Sequence, residues 1–272
     1  MQWLCRDKKL DLHRPPLRAA IMGIVNLTPD SFSDGGMLSD TDAALEHVFG
    51  LARDGCAVAD IGGQSTRPGH VPVTAEEEWR RIEPLLLGLS ELRKRGQPLP
   101  LISVDTYQPW VARRALEAGA DIINDVHGFE DPDMRAVAAE YGAGCVVMHS
   151  ADITACADPV KAVREFFGSR VEQMINQGIR RECICLDCGI GFGKTREQEV
   201  MLLERMGECR VHDLPLLAAA SRKRVIAYLM GEDVPPHQRD DATHRAHLRA
   251  VLAGADMVRV HDAAGARASL LM

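Results

Sequence analysis

The chain has 272 residues, 46% of them hydrophobic and 26% charged, with 32 Lys and Arg against 39 Asp and Glu for a formal charge of −7. That length suits one large core, and the acidic balance argues against nucleic acid as a general partner, so anionic ligands would need a few focused cations. No apolar run is long enough to cross a membrane, and the opening MQWLCRDKKLDLHRPP lacks the hydrophobic segment of a signal peptide, so no membrane partner is expected and the cytoplasm is the expected location.

In chain order, residues 1–18 read as a short N-terminal extension, and a first apolar run over 20–25 breaks into the polar loop NLTPDSFSDGG. A long loop of this composition on a rigid strand is where chemistry is placed rather than packing. Further runs of strand length lie at 57–61, 101–104, 121–123, 144–148, 183–186, 214–219 and 256–260. Between them are segments of helical period, among them 41–54, 74–95, 108–118, 159–176 and 196–206. Apolar runs alternating with amphipathic helices read as parallel strands joined by crossovers. Eight such units, with no linker or low-complexity tract between them, predict a single-domain α/β fold, a TIM-type (β/α)8 barrel over residues 1–272.

Each apolar run gives way to polar residues at its carboxyl end. The first ends in Asn26 and the loop that contains Asp34. The second ends in GGQSTRPG with Thr66 and Arg67, the third in Asp105 and Thr106, the fourth in Asn124 and Asp125, and the fifth in His149. The sixth ends in Asp187 before GIGFGK, which holds Phe192 and Lys194; the seventh in Ser221-Arg222-Lys223; the eighth in Arg259, His261 and Asp262. In a parallel barrel these carboxyl ends share one rim. Carboxamides and carboxylates suit a planar heterocycle whose donors and acceptors must all be met, while Arg67, Lys223, Arg259 and His261 suit anions. The helix opened after Ser221 offers free amide groups to an anion as well.

Taken singly these residues have plainer readings. Asp105 and Asn124 could cap the next helices, Arg67 could be a surface ion pair, and His149, among core neighbours, reads as a satisfied structural histidine. Eight cysteines scattered through a core-sized domain read as reduced thiols. Alternation puts Cys183 and Cys185 on one face of the sixth strand with Cys188 just beyond it, but a structural zinc wants a second pair of ligands, and none is evident nearby.

The segments MGIVNLTPDSFSDGG, DIGGQSTRPG, SVDT, IND, LDCGIGFGK, SRK and RVHD together resemble the ordered signature of the dihydropteroate synthase family of pterin-binding barrels. The resemblance implies a transferase of folate biosynthesis. It would condense 6-hydroxymethyl-7,8-dihydropterin pyrophosphate with 4-aminobenzoate, usually with Mg2+, and release pyrophosphate, and sulfonamides would compete at the aminobenzoate site. Carried onto this sequence, Asp105, Asn124, Asp187 and Lys223 would hold the pterin. Asn26, Arg259 and His261 would hold the pyrophosphate, Asn26 through the metal. Thr66, Arg67, Phe192 and Ser221 would receive the aminobenzoate, with Lys194 lining the same mouth. Asp105, Asp187, Lys223 and the lid residue Asp34 would carry catalysis, with Gly35, Gly36 and Gly69 as hinges. The family also implies a homodimer.

The sequence departs from the family pattern at Gln64, where Glu is usual, at Cys188, where Pro is usual, in Ala218-Ala219-Ala220, and in the charge that His244-Arg245-Ala246-His247 brings to a late helix. Two other readings stay open on these grounds: a pterin-binding paralogue of weak or altered activity, and a pterin- or folate-dependent methyltransferase domain.

Overall fold

The computed structural model describes residues 1–13, 15–27, 37–64 and 71–271. Eight strands close into a barrel: β3 (Ala20–Asn26), β4 (Val58–Gly62), β5 (Leu101–Asp105), β6 (Ile122–Asp125), β7 (Gly144–Met148), β8 (Ile184–Asp187), β9 (Leu216–Ala218) and β10 (Met257–Val260). They keep sequence order around the barrel, all neighbours are parallel, and β10 pairs with β3 to close it. The connections carry α1 (Met37–Arg53), α2 (Ala75–Lys94), α3 (Pro109–Glu117), α4 (Pro132–Tyr141), α5 (Pro159–Asn176), α6 (Arg196–Glu204), α7 (Arg224–Met230) and α8 (Asp240–Leu252), and α9 (Ala263–Leu270) comes after β10. The TIM-type barrel expected from the alternation is the fold, although α1 begins at Met37 rather than near 41. No helix among the described residues is long and apolar enough to cross a membrane.

Local chemistry sets the helix starts. Thr74, Asp131, Asp158, Thr195 and Asp262 each accept a backbone N–H of the first turn, and Thr195 completes a capping box with Gln198. Asp105 and Asn124 cap no helix among the described residues: α3 starts after Gln108 and α4 after Asp131. Their side chains are left for other work.

Strand alternation sorts the core into two layers. Residues such as Ile21, Val25, Ile61, Val104, Ile123, Val147, Leu186 and Val258 pack outward beneath the helices. Met22, Val58, Ile122, Val146, Cys185, Leu217 and Met257 fill the barrel's interior.

The N-terminal extension forms a hairpin, β1 (Gln2–Cys5) with β2 (Lys8–Asp11), and delivers Trp3, Cys5 and Leu12 to that interior cluster, all fully buried. Trp3 Nε1 donates to the carbonyl of Cys183 at 2.8 Å and Arg6 N to that of Gly142 at 2.8 Å. The hairpin therefore plugs the barrel at the end opposite the strands' carboxyl rim. The three clustered cysteines separate: Cys183 lies in a 3-10 turn before β8 and packs with the outer layer, as does Cys188, whereas Cys185 points inward. The turn breaks the alternation expected to put Cys183 and Cys185 on one face, and the described residues contain no cluster of three His, Cys, Asp or Glu able to hold a metal.

Candidate active site

Two residues further along each strand, the apolar interior gives way to a polar layer: Asp60 above Val58, Asn124 above Ile122, Asp187 above Cys185 and Arg259 above Met257, with Ser103 on β5. Asp60 is fully buried and is the hub. Its carboxylate accepts from Ser103 Oγ at 2.6 Å, Asn124 Nδ2 at 3.1 Å and Arg259 Nε at 2.6 Å. Arg259 Nη2 donates to Asp105 Oδ2 at 2.8 Å, so one guanidinium bridges two carboxylates from different strands. Asp60 has no place among the residues read as functional from sequence. The available signal is a carboxylate in the middle of the otherwise apolar run VADIG, since buried charges need partners.

Asp105 stands at the upper edge of this layer, paired in register with Gly62 and Asn124, and Gly62 in turn with Asn26. Asp105 Oδ1 is buried with no hydrogen-bond partner among the described residues. Burial raises its carboxyl to about 7; Arg259 opposes the rise, and Asp60 and Glu78 add to it. Gly62 leaves room at the rim between the two neighbouring strands: a Cβ there would stand 3.7 Å from Asp105 Cβ and 3.8 Å from Asn26 Oδ1 and narrow that space.

On the opposite wall, Asp187 Oδ1 accepts from Gly189 N at 2.8 Å, and burial raises its pKa while Lys223 opposes the shift. Lys223 donates to the Ile190 carbonyl at 2.6 Å and lies 5.1 Å from the centroid of the Phe192 ring. Burial lowers its ammonium to about 8, with Asp187 working the other way. Phe192 is half-buried beside it, at the mouth.

Lys194 is 5% exposed, and its ammonium reaches His149 Nδ1 at 3.0 Å and the carbonyls of His149, Gly189 and Phe192 at 3.1, 3.0 and 2.8 Å. It does not line the mouth, as the resemblance implied, because four acceptors draw it beneath the loop. His149, 2% exposed, is the satisfied structural histidine expected. Gly189 makes this packing possible: at φ +70°, its missing Cβ would collide with the His149 carbonyl oxygen.

At the last two strands, Ser221 Oγ lies 2.9 Å from His261 Nδ1 and accepts from His261 N at 3.2 Å, which links β9's turn to β10's end. Just after β4, Gln64 is 4% exposed, donates to Glu78 Oε2 at 2.7 Å and accepts from Tyr107 at 3.3 Å. An amide fits here better than a carboxylate, since Glu78 is itself buried and needs donors. The four residues 244–247 prove to be mostly inside: His244 and His247 are 8% and 1% exposed, and only Arg245 faces outward fully. The late helix thus carries less surface charge than its sequence suggests.

The structure brings Asn26, Asp105, Asn124, Asp187, Phe192, Ser221, Lys223, Arg259 and His261 to one rim of the barrel. Asp34, Thr66 and Arg67, with the hinge glycines Gly35, Gly36 and Gly69, lie outside the described residues.

Comparison with known proteins agrees with this geometry. The family described as pterin binding enzyme matches residues 22–261. A dihydropteroate synthase of Streptococcus pyogenes serotype M3 is 42% identical over 245 residues, 90% of this chain and 90% of that protein. Among solved structures, the Xanthomonas albilineans dihydropteroate synthase with 4-aminobenzoic acid superimposes with a TM-score of 0.89 at 39% identity, covering 99% of this chain and 95% of that one. The same enzyme in complex with 7,8-dihydropteroate gives 0.86 at 36% identity, covering 99% and 96%.

Proposed function

The chain belongs to the pterin-binding enzyme family, and from that premise and the polar rim we infer how it carries out dihydropteroate synthesis. The enzyme is a transferase: the amine of 4-aminobenzoate displaces pyrophosphate from the methylene of the dihydropterin substrate, giving dihydropteroate. The observation that carries the pterin side is the lone Asp105 Oδ1. A buried carboxylate oxygen without a donor is costly, and a pterin's ring N–H and exocyclic amine are the donors that relieve it. Asn124, held by Asp60, and Asp187, held by Gly189, offer further polar groups in fixed orientation. Lys223 completes the set from the facing wall.

In the reaction the methylene C–O bond breaks, its electron pair leaves with pyrophosphate, and positive charge grows on the pterin. Asp105 and Asp187 stabilise that charge; Arg259 and His261 stabilise the leaving group. Because these groups are already fixed by Asp60, Gly189 and Ser221, little reorganisation is needed at the moment of reaction. The aromatic amine is neutral and nucleophilic near pH 7, so its attack needs no strong base, and the proton released after C–N bond formation passes to solvent. Phe192 and Ser221 line the aminobenzoate side, with Thr66 and Arg67 assigned there by family pattern.

Magnesium fits the residues present. Asn26 gives one amide oxygen beside the open place at Gly62, and this ion takes one or two protein oxygens and completes its shell with phosphate oxygens and water. When bound it would neutralise charge on the pyrophosphate. We place the reaction in the cytoplasm, in keeping with eight unpaired cysteines. We assign homodimerisation to the α7–α8 face, where Tyr228, Leu229 and Leu252 are exposed; sedimentation of the purified protein tests it.

The function is tested by incubating purified protein with the dihydropterin pyrophosphate, magnesium and 4-aminobenzoate. Stoichiometric dihydropteroate and pyrophosphate are expected, with sulfonamide inhibition competitive against aminobenzoate. Pterin binding with no product would overturn the assignment.

A further inference from the structure

The turn Ala220-Ser221-Arg222-Lys223 presents two groups of the site and is held in an uncommon shape, with Arg222 at φ +59°. A non-glycine residue keeps such a backbone only when its surroundings determine it. Those surroundings are α8 and its lead-in. Arg222 N donates to Thr243 Oγ1 at 3.2 Å, Arg239 Nη1 donates to the carbonyls of Arg222 and Lys223 at 3.0 and 3.3 Å, and the Arg222 guanidinium forks onto Asp240 with both contacts at 2.7 Å. The root of the turn is tied differently: Ala220 N donates to His247 Nε2 at 3.1 Å.

His247 is 1% exposed, and its Nδ1 has no hydrogen-bond partner among the described residues. Since Nε2 accepts, the ring proton sits on Nδ1. A neutral ring is what this position requires, because an imidazolium would face a donor with a donor. Burial, with His244, Lys223 and His261 adding to it, pushes the ring down to about 3. The Ala220 amide is at the end of a barrel strand, where leaving it unpaired would cost free energy and loosen the turn.

We propose that His247 is a positioning residue of the reaction: by accepting the Ala220 amide it sets the turn that presents Ser221 and Lys223 to the substrates. This rests on the assignment of Lys223 to the dihydropterin site. Replacing His247 separates acceptor chemistry from volume. His247→Gln puts a side-chain carbonyl close to the place of Nε2, His247→Asn ends short of it, and His247→Leu fills the space without an acceptor.

The expected result is a fall of about ten- to a hundredfold in kcat/KM for the dihydropterin substrate in the Leu and Asn variants, from the unpaired amide. The Gln variant is expected to recover to within about threefold on the same reasoning. If Leu and Gln have equal kinetics and melt at the same lowered temperature, the histidine only fills space and the proposal falls. Nitrogen-15 NMR of the unaltered enzyme gives a test independent of variant folding: Nδ1–H with a bare, accepting Nε2 is expected, and an Nε2–H tautomer overturns the proposal. Lys223→Met serves as control, raising KM for the same substrate; no change there would overturn the site assignment instead.

Discussion

At Asp105 the two oxygens of one carboxylate lead different lives, one fixed by Arg259 at 2.8 Å and the other without a partner among the described residues. Asp105→Asn keeps the shape but gives up the charge that makes those hydrogen bonds strong. Calorimetry with the dihydropterin substrate should show affinity lower by about ten- to a hundredfold, and aminobenzoate binding to the pterin-loaded enzyme should suffer only indirectly. Lys223, at the mouth, and Lys194, beneath the loop, divide along similar lines. Lys223→Met should raise KM for the dihydropterin substrate and reduce turnover at little cost in melting temperature, because among the described residues Lys223 donates to one carbonyl. Lys194→Met takes a donor from His149 and from three carbonyls, of which only that of Gly189 keeps another among the described residues, the Phe192 N–H, and urea unfolding should register a loss of about 2–4 kcal/mol. A Lys194 variant as stable as the parent would show that the loop finds other donors.

At the scale of elements, the loop after β8 and the hairpin at the barrel's other end make opposite forecasts. Gly189→Ala drives a Cβ into the His149 carbonyl, so the loop must shift and Asp187 lose its amide; both stability and turnover should fall. Trp3→Ala empties a fully buried site far from the rim. It should cost about 3–5 kcal/mol in denaturant unfolding, with kcat and KM of the folded fraction close to unchanged. A matching drop in turnover would mean that the floor of the barrel is coupled to its mouth.

These elements also show which features a sequence displays and which it hides. The barrel strands are legible because each is a short apolar run, and the rim is legible because a polar residue ends each run. The hairpin is not, since QWLC and KKLD are too short to carry a period and their burial is decided by the barrel they plug. Asp60 shows in the sequence as a carboxylate inside an apolar strand, but its role as a hub appears only once three donors are seen around it. His247 misleads in the other direction: on paper it adds charge to a helix, whereas in the fold it is a neutral acceptor behind the active site. Contacts that depend on which neighbour arrives from 27 or 199 positions away leave no local trace.

For the whole molecule, the buried carboxylates shape the dependence of stability on pH. Burial raises Asp105 from 3.8 to about 7 and Asp125 from 3.8 to about 6. Each therefore binds more proton in the folded than in the unfolded chain between those limits, and its contribution to stability declines as pH rises through that window. Melting profiles of parent and Asp105→Asn should thus converge near pH 4 and separate towards pH 8, after allowance for any constant offset, with the decline shallower in the variant. A steeper decline in the variant would reverse the sign and show that Arg259 holds Asp105 ionised throughout.

The plug at the barrel floor has a consequence for how the chain comes off the ribosome. Trp3 is made 180 residues before Cys183, whose carbonyl receives its indole N–H, an interval of roughly 10–40 s at ordinary rates of synthesis. Throughout that time Trp3 and Cys5, the apolar face of the hairpin, lack the barrel interior that buries them. Nascent chains arrested before β8 should accordingly leave Trp3 open to water and to chaperones, and chains arrested beyond it should begin to shield it.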